Sequence, residues 1–122
     1  MSYGTLAIDV LNTSTGVLST QNGVTGIAKA WVNFNGSGGA TINNSFNVSS
    51  VTRSGTGLYV INFTTPMSNS NYIMTGTTSN ATQSWVTLQS IAATTTTSCG
   101  IYTLYAASAV DGNPVMVVFH GT

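Results

Sequence analysis

The chain has 122 residues, of which only 3% are charged, and its formal net charge at pH 7 is zero. Two cations, Lys29 and Arg53, cannot build the basic stripe that neutralises nucleic-acid phosphates, and they give an anionic membrane surface equally little to hold. No apolar run approaches the ~20 residues of a membrane span, and a chain of this length supports one core.

Low charge does not mean disorder here, because 42% of the residues are hydrophobic. Ser, Thr and Asn fill the polar positions, and they hydrogen-bond without the desolvation cost of a full charge. A surface so poor in charge favours association, so the composition reads as that of a subunit met by other copies or by a larger particle.

Along the chain the dominant period is two, the period of a half-buried strand. Leu6, Ile8 and Val10 alternate with Thr5, Ala7 and Asp9, and residues 12–26 form a loop rich in Thr, Ser, Asn and Gly. Residues 1–28 therefore read as an N-terminal arm for attachment or strand exchange, and residues 29–122 as the β-sandwich domain.

In KAWVNF, Ala30, Val32 and Phe34 share one face, and NGSGG makes the turn that follows. Phe46 and Val48 are expected on one face, with Val51 breaking the alternation at a bulge or a strand end. RSGTG supplies the glycines of a hairpin loop. After it, Tyr59, Ile61 and Phe63 face one way while Leu58, Val60 and Asn62 face the other.

Pro66 closes that strand because it cannot donate to a ladder. Further strands are expected over residues 72–77, 85–91, 99–106 and 115–119, separated by turn-rich segments. No window shows an apolar stripe of helical period. Many short strands without a helix predict an all-β fold, an antiparallel β-sandwich or jelly-roll-like domain with an extended N-terminal arm.

The residues offer little chemistry. Asp9 and Asp111 are the only acids, and Asp111 sits in a DGNP turn, where Asp bonds its own backbone. His120 is the single histidine, so no histidine pair supports a metal site, although three copies on a trimer axis would place three imidazoles together. The many serines make any Ser-His-Asp match meaningless, and no GxSxG elbow is present. Cys99 is alone, a small buried hydrophobe on a strand. The Asn-x-Ser/Thr sequons at Asn12, Asn35, Asn43, Asn47, Asn62 and Asn80 follow from composition. No catalytic residue, cofactor or metal is expected, and the chain is not read as an enzyme.

Aromatics among Asn and Thr remain as candidates for recognition. Rings stack on sugar faces and amides bond sugar hydroxyls, yet aromatics also anchor cores and interfaces. The candidate surface or partner contacts are Trp31, Trp85, Tyr72 and Arg53, with Trp85 preferred.

KAWVNFNGSG, then SFNVSSVTRSGTGLYVINFTTPM, then Asn71-Tyr72, resembles a pattern in tail-fibre and related virion surface proteins of cyanobacterial and marine bacteriophages. The matching positions are residues 29–34, 45–50, 55–57, 61–65 and 71–72. The ending VMVVFHG is similar to the last strand of such modules, and TLAIDVLNTSTG to the strand and turn that often precede them. One departure stands out: the hairpin reads RSGTGL where the pattern carries an acidic residue or Asn near GTG.

The resemblance implies a β-rich, trimeric virion surface domain without catalytic activity. Its expected partners are its own copies, a tail or major capsid protein, and host surface polysaccharide. The N-terminus, MSYGTLAIDV, lacks a signal-peptide pattern. The expectation is therefore synthesis in the host cytoplasm and display on the phage particle. A tail-fibre-like subunit for host attachment is the first reading. A capsid decoration protein is the alternative, and a polysaccharide depolymerase or a free carbohydrate-binding module come after it.

Overall fold

The computed structural model describes residues 27–79, 84–88 and 93–121. The strand assigned to Leu6, Ile8 and Val10, and the rest of the arm before Ile27, lie outside them. Among the described residues nine strands follow one another: β1 (Ala28–Asn35), β2 (Thr41–Phe46), β3 (Val48–Gly55), β4 (Leu58–Phe63), β5 (Ile73–Thr78), β6 (Trp85–Leu88), β7 (Ser98–Tyr105), β8 (Ser108–Ala109) and β9 (Val115–His120). All pairings are antiparallel, and among the described residues there is no α-helix.

The all-β antiparallel fold is the one expected. Its layers belong to one sheet, ordered β2-β1-β9-β5-β6-β7-β4-β3, which curls until it is nearly closed into a barrel. The short β8 pairs with β7, off this order.

Period-two patterning decides which side of each strand is buried. Ala30, Val32 and Phe34 of β1, Tyr59, Ile61 and Phe63 of β4, Cys99 and Ile101 of β7, and Val115, Val117 and Phe119 of β9 fill the interior. Fully burying a side chain such as Phe34, Ile61 or Phe119 contributes about 1.5–3 kcal/mol. Three rings pack edge to face within this core. Phe63 lies 5.1 Å from Phe119 and 5.7 Å from Tyr72, and Tyr72 lies 5.8 Å from Phe119. Cys99 is fully buried among them, and burial pushes its thiol pKa up.

The RSGTG hairpin forms as expected, with Thr56 and Gly57 at its tip and Gly57 at φ 67°. The expected bulge appears as a register shift between Val48 and Ser50.

Phe46 and Val48, however, do not share a face. Phe46 is 54% exposed while Val48 is buried, because Asn47 stands between them at φ 54° and turns the chain from one strand into the next. Its side chain holds the corner from three sides. Nδ2 donates to the carbonyls of Lys29 (3.0 Å) and Thr65 (3.1 Å), and Oδ1 accepts from the Thr65 amide at 2.7 Å. Asn is among the few side chains that tolerate this backbone region. Replacing Asn47 with alanine is expected to cost about 2–3 kcal/mol, from left-handed strain and lost hydrogen bonds. Glycine relieves only the strain, so N47G should fall between wild type and N47A in a urea titration.

Candidate functional site

Three strands pair side by side: β1 with β9, in continuous register from Ala30 to Phe34, and β9 with β5. Residues directly opposite on antiparallel strands project from the same side of a sheet. Since Val32, Val117 and their neighbours point inward, the alternate residues form an outer face. One row across it runs Phe46, Trp31, Val118 and Thr75; the next runs Asn44, Asn33, Met116, Thr77 and Trp85.

This face carries large apolar side chains where a solvated sheet would carry polar ones. Phe46, Met116 and Trp85 are exposed on it, and Ile73 extends it at the start of β5. Trp31 is half-buried, forming part of the wall of an open groove of about 660 Å³. Val118 and Met116 line the same groove, together with Asn33, Thr75 and Thr77. No charged side chain lines it. Asn33 is held from the neighbouring strand, its Oδ1 accepting from Asn43 Nδ2 at 3.1 Å.

The surface candidates separate. Trp31 and Trp85 lie on the outer face, where Trp85 is 47% exposed. Tyr72 is not a surface contact: it is 7% exposed and its ring packs in the core. Its hydroxyl lies 2.9 Å from the Thr95 carbonyl and 3.0 Å from that of Ser98. Burial raises its pKa well above the ordinary phenol range. A tyrosine ahead of a strand reads equally well as surface or core, and the aromatic partners that decide it, Phe63 and Phe119, are distant in sequence.

Arg53 is partly exposed, and its guanidinium is engaged by Asp111. Its Nη2 lies 2.8 Å from Asp111 Oδ2 and its Nε 3.1 Å from Oδ1. The same carboxylate accepts from the Gly57 amide at 2.9 Å and from the Tyr59 hydroxyl at 2.8 Å. These donors hold the Asp111 carboxyl below the usual carboxylate range, the Arg53 hydrogen bond most of all. The Tyr59 phenol is pushed up to about 12, first by burial and then by the neighbouring carboxylate.

Asp111 thus ties the tip of the β3–β4 hairpin to the loop before β9 and, through Tyr59, to the turn after β1. The Gly36 amide donates to the Gly112 carbonyl at 2.8 Å, closing the same corner. The clamp is structural: Arg53 Nε and Nη2, the Gly57 amide and the Tyr59 hydroxyl converge on this one carboxylate.

His120 ends β9, opposite Ala28 on one side and Ile73 on the other. Asp9 lies outside the described residues, as do Asn12 and Asn80. No group of three His, Cys, Asp or Glu that could hold a metal occurs among the described residues.

The sequence reading missed Phe46, Ile73, Met116 and Val118 as surface residues. One signal was available: VMVVFH is apolar at both parities, so β9 has an apolar outer side as well as an inner one. Comparisons with protein-family models, curated proteins and solved structures found no match.

Proposed function

We propose that the chain is a non-catalytic structural subunit of a bacteriophage virion surface, of the tail-fibre kind, that takes part in host attachment. The observation that carries this reading is the uncharged outer face, where Trp31, Trp85 and Phe46 stand among Asn33, Asn44, Thr75 and Thr77. Rings beside amides and hydroxyls suit the alternating apolar and hydroxylated faces of a neutral host polysaccharide. The resemblance of residues 29–72 to phage fibre modules supplies the particle. The scarcity of charge supports association into a homotrimer, held on the virion by a tail protein.

Two measurements test the reading. Antibody labelling of purified virions, viewed by electron microscopy, should mark the tail with at most a few dozen copies. Hundreds of copies on the head would replace the fibre assignment with capsid decoration. In parallel, Trp85→Ala should weaken binding to host surface polysaccharide roughly tenfold or more, the loss of one exposed aromatic anchor, without changing thermal stability. Unchanged binding in both Trp85→Ala and Trp31→Ala would remove this face from attachment, and release of reducing ends from the polysaccharide would overturn the non-catalytic assignment.

A further inference from the structure

The NGSGG turn after β1 begins with an Asn-Gly step, Asn35-Gly36, and this step lies where the Asp111 clamp closes on the end of the strand. Asn-Gly is the dipeptide most prone to lose its side-chain amide in water. The Gly36 nitrogen attacks Cγ of Asn35; the N–Cγ bond forms as Cγ–Nδ2 breaks, and ammonia leaves with the proton that the Gly36 amide gave up. Water then opens the cyclic imide to an aspartyl or an isoaspartyl residue. Glycine favours the ring because it carries no side chain to obstruct it and leaves the backbone free to turn.

Here the fold calls for both residues of the reactive pair. A Cβ on Gly36 would lie 2.6 Å from the Gly112 carbonyl oxygen and would collide with the Tyr59 hydroxyl, so no larger residue fits. Asn35 starts the turn, its Oδ1 accepting from the Ser37 amide at 2.9 Å.

Three features of the corner oppose ring closure. Asn35 is the last residue of β1, opposite Thr41 of β2, and the ring closes only after its ψ turns far from the extended value of a strand. The Gly36 N–H, whose proton has to leave, donates to the Gly112 carbonyl at 2.8 Å. The Tyr59 hydroxyl lies 3.0 Å from the Gly36 carbonyl and 2.8 Å from Asp111 Oδ1, so turning this peptide also disturbs the clamp.

We propose that Asn35 is a deamidation site gated by the Asp111 clamp, reacting when the clamp opens and held unreactive while it is closed. The product brings a further carboxylate into a chain whose formal net charge is zero. Its isoaspartyl form also adds a methylene to the main chain beside Gly36, where the packing leaves no room. This assignment does not depend on the virion role.

Peptide mapping by mass spectrometry tests it, after incubation of the full chain in mildly alkaline buffer. Folded wild type should convert Asn35 at least about tenfold more slowly than the chain unfolded in urea, as expected for a reaction that waits on local opening. Asp111→Ala should speed the folded reaction at least about tenfold, and by a larger factor than it speeds amide hydrogen exchange at Val32 and Val117 in the core. Should Asp111→Ala fail to fold, Arg53→Gln gives the same comparison, since it removes the two guanidinium hydrogen bonds to the carboxylate.

Equal rates in the folded and the unfolded wild type overturn the proposal. So does a folded rate that neither variant raises. Acceleration that only matches the exchange at Val32 and Val117 assigns the reaction to global unfolding and overturns the gating by the clamp.

Discussion

Phe119→Ala should lower the unfolding free energy by about 3–5 kcal/mol, the usual cost of truncating a fully buried ring. Phe119 is completely inaccessible and forms two of the three edge-to-face contacts in its cluster with Phe63 and Tyr72. The same strand carries Val115 and Val117 into the core, so a cavity at Phe119 cannot be closed by shifting β9 without disturbing its pairing with β1 and β5. Against a typical stability of about 5–15 kcal/mol, such a loss brings a marginal domain close to unfolding. Phe119→Leu keeps most of the volume and should cost less than about 1.5 kcal/mol. Urea titrations of both variants at one protein concentration measure the difference, and a loss below about 1 kcal/mol for the alanine variant would contradict the packing described.

Asp111→Ala should cost about 2–3 kcal/mol, because charge-assisted hydrogen bonds contribute about 1.5–3 kcal/mol and not all of these go uncompensated. Water can reach Arg53, and Tyr59 can give its single hydroxyl proton to the Gly36 carbonyl at 3.0 Å instead; the Gly57 amide loses its side-chain acceptor outright. The sign of the pH dependence follows from the lowered carboxyl pKa. Its stabilisation is fully present above the ordinary aspartate value of about 3.9 and is lost as pH falls below that value through the folded one. Wild type should therefore weaken below about pH 4 more steeply than Asp111→Asn, which has no carboxylate to protonate. Parallel acid profiles for the two proteins would show that the carboxylate contributes nothing particular to the clamp.

The legible part of this fold was what repeats locally. Alternation in residues 58–63 identified β4 and its buried side, and the glycines of RSGTG placed the hairpin, because both signals need only adjacent residues. The strand order was not legible. Nothing in VMVVFH says that it pairs with residues 28–34 and 73–78, since its apolar residues would suit any central position.

The clamp was hidden for the same reason: Arg53 and Asp111 read as a loop cation and a turn acid until the fold brought them 2.8 Å apart across 58 positions. Asn47 lay between the two outcomes. Its tolerance of a left-handed backbone is a known property of the residue, but its side-chain partners, Lys29 and Thr65, are set by tertiary structure. Trp31 and Trp85 could be picked out as aromatics in polar surroundings, while the face they share required the register.

The position of β9 also imposes an order on synthesis. The N-terminal strands β1 and β2 and the middle strands β3 to β8 have most of their partners available as they leave the ribosome. Yet β1 and β5 reach each other only through β9, whose residues are made last among those described. Until residue 120 emerges, both strands present an unpaired edge beside apolar side chains, and at typical translation rates of about 5–20 residues per second that exposure lasts for several seconds. The last strand to be made is thus the keystone of the sheet, and nascent chains stalled before it are the species most vulnerable to clumping or capture by chaperones.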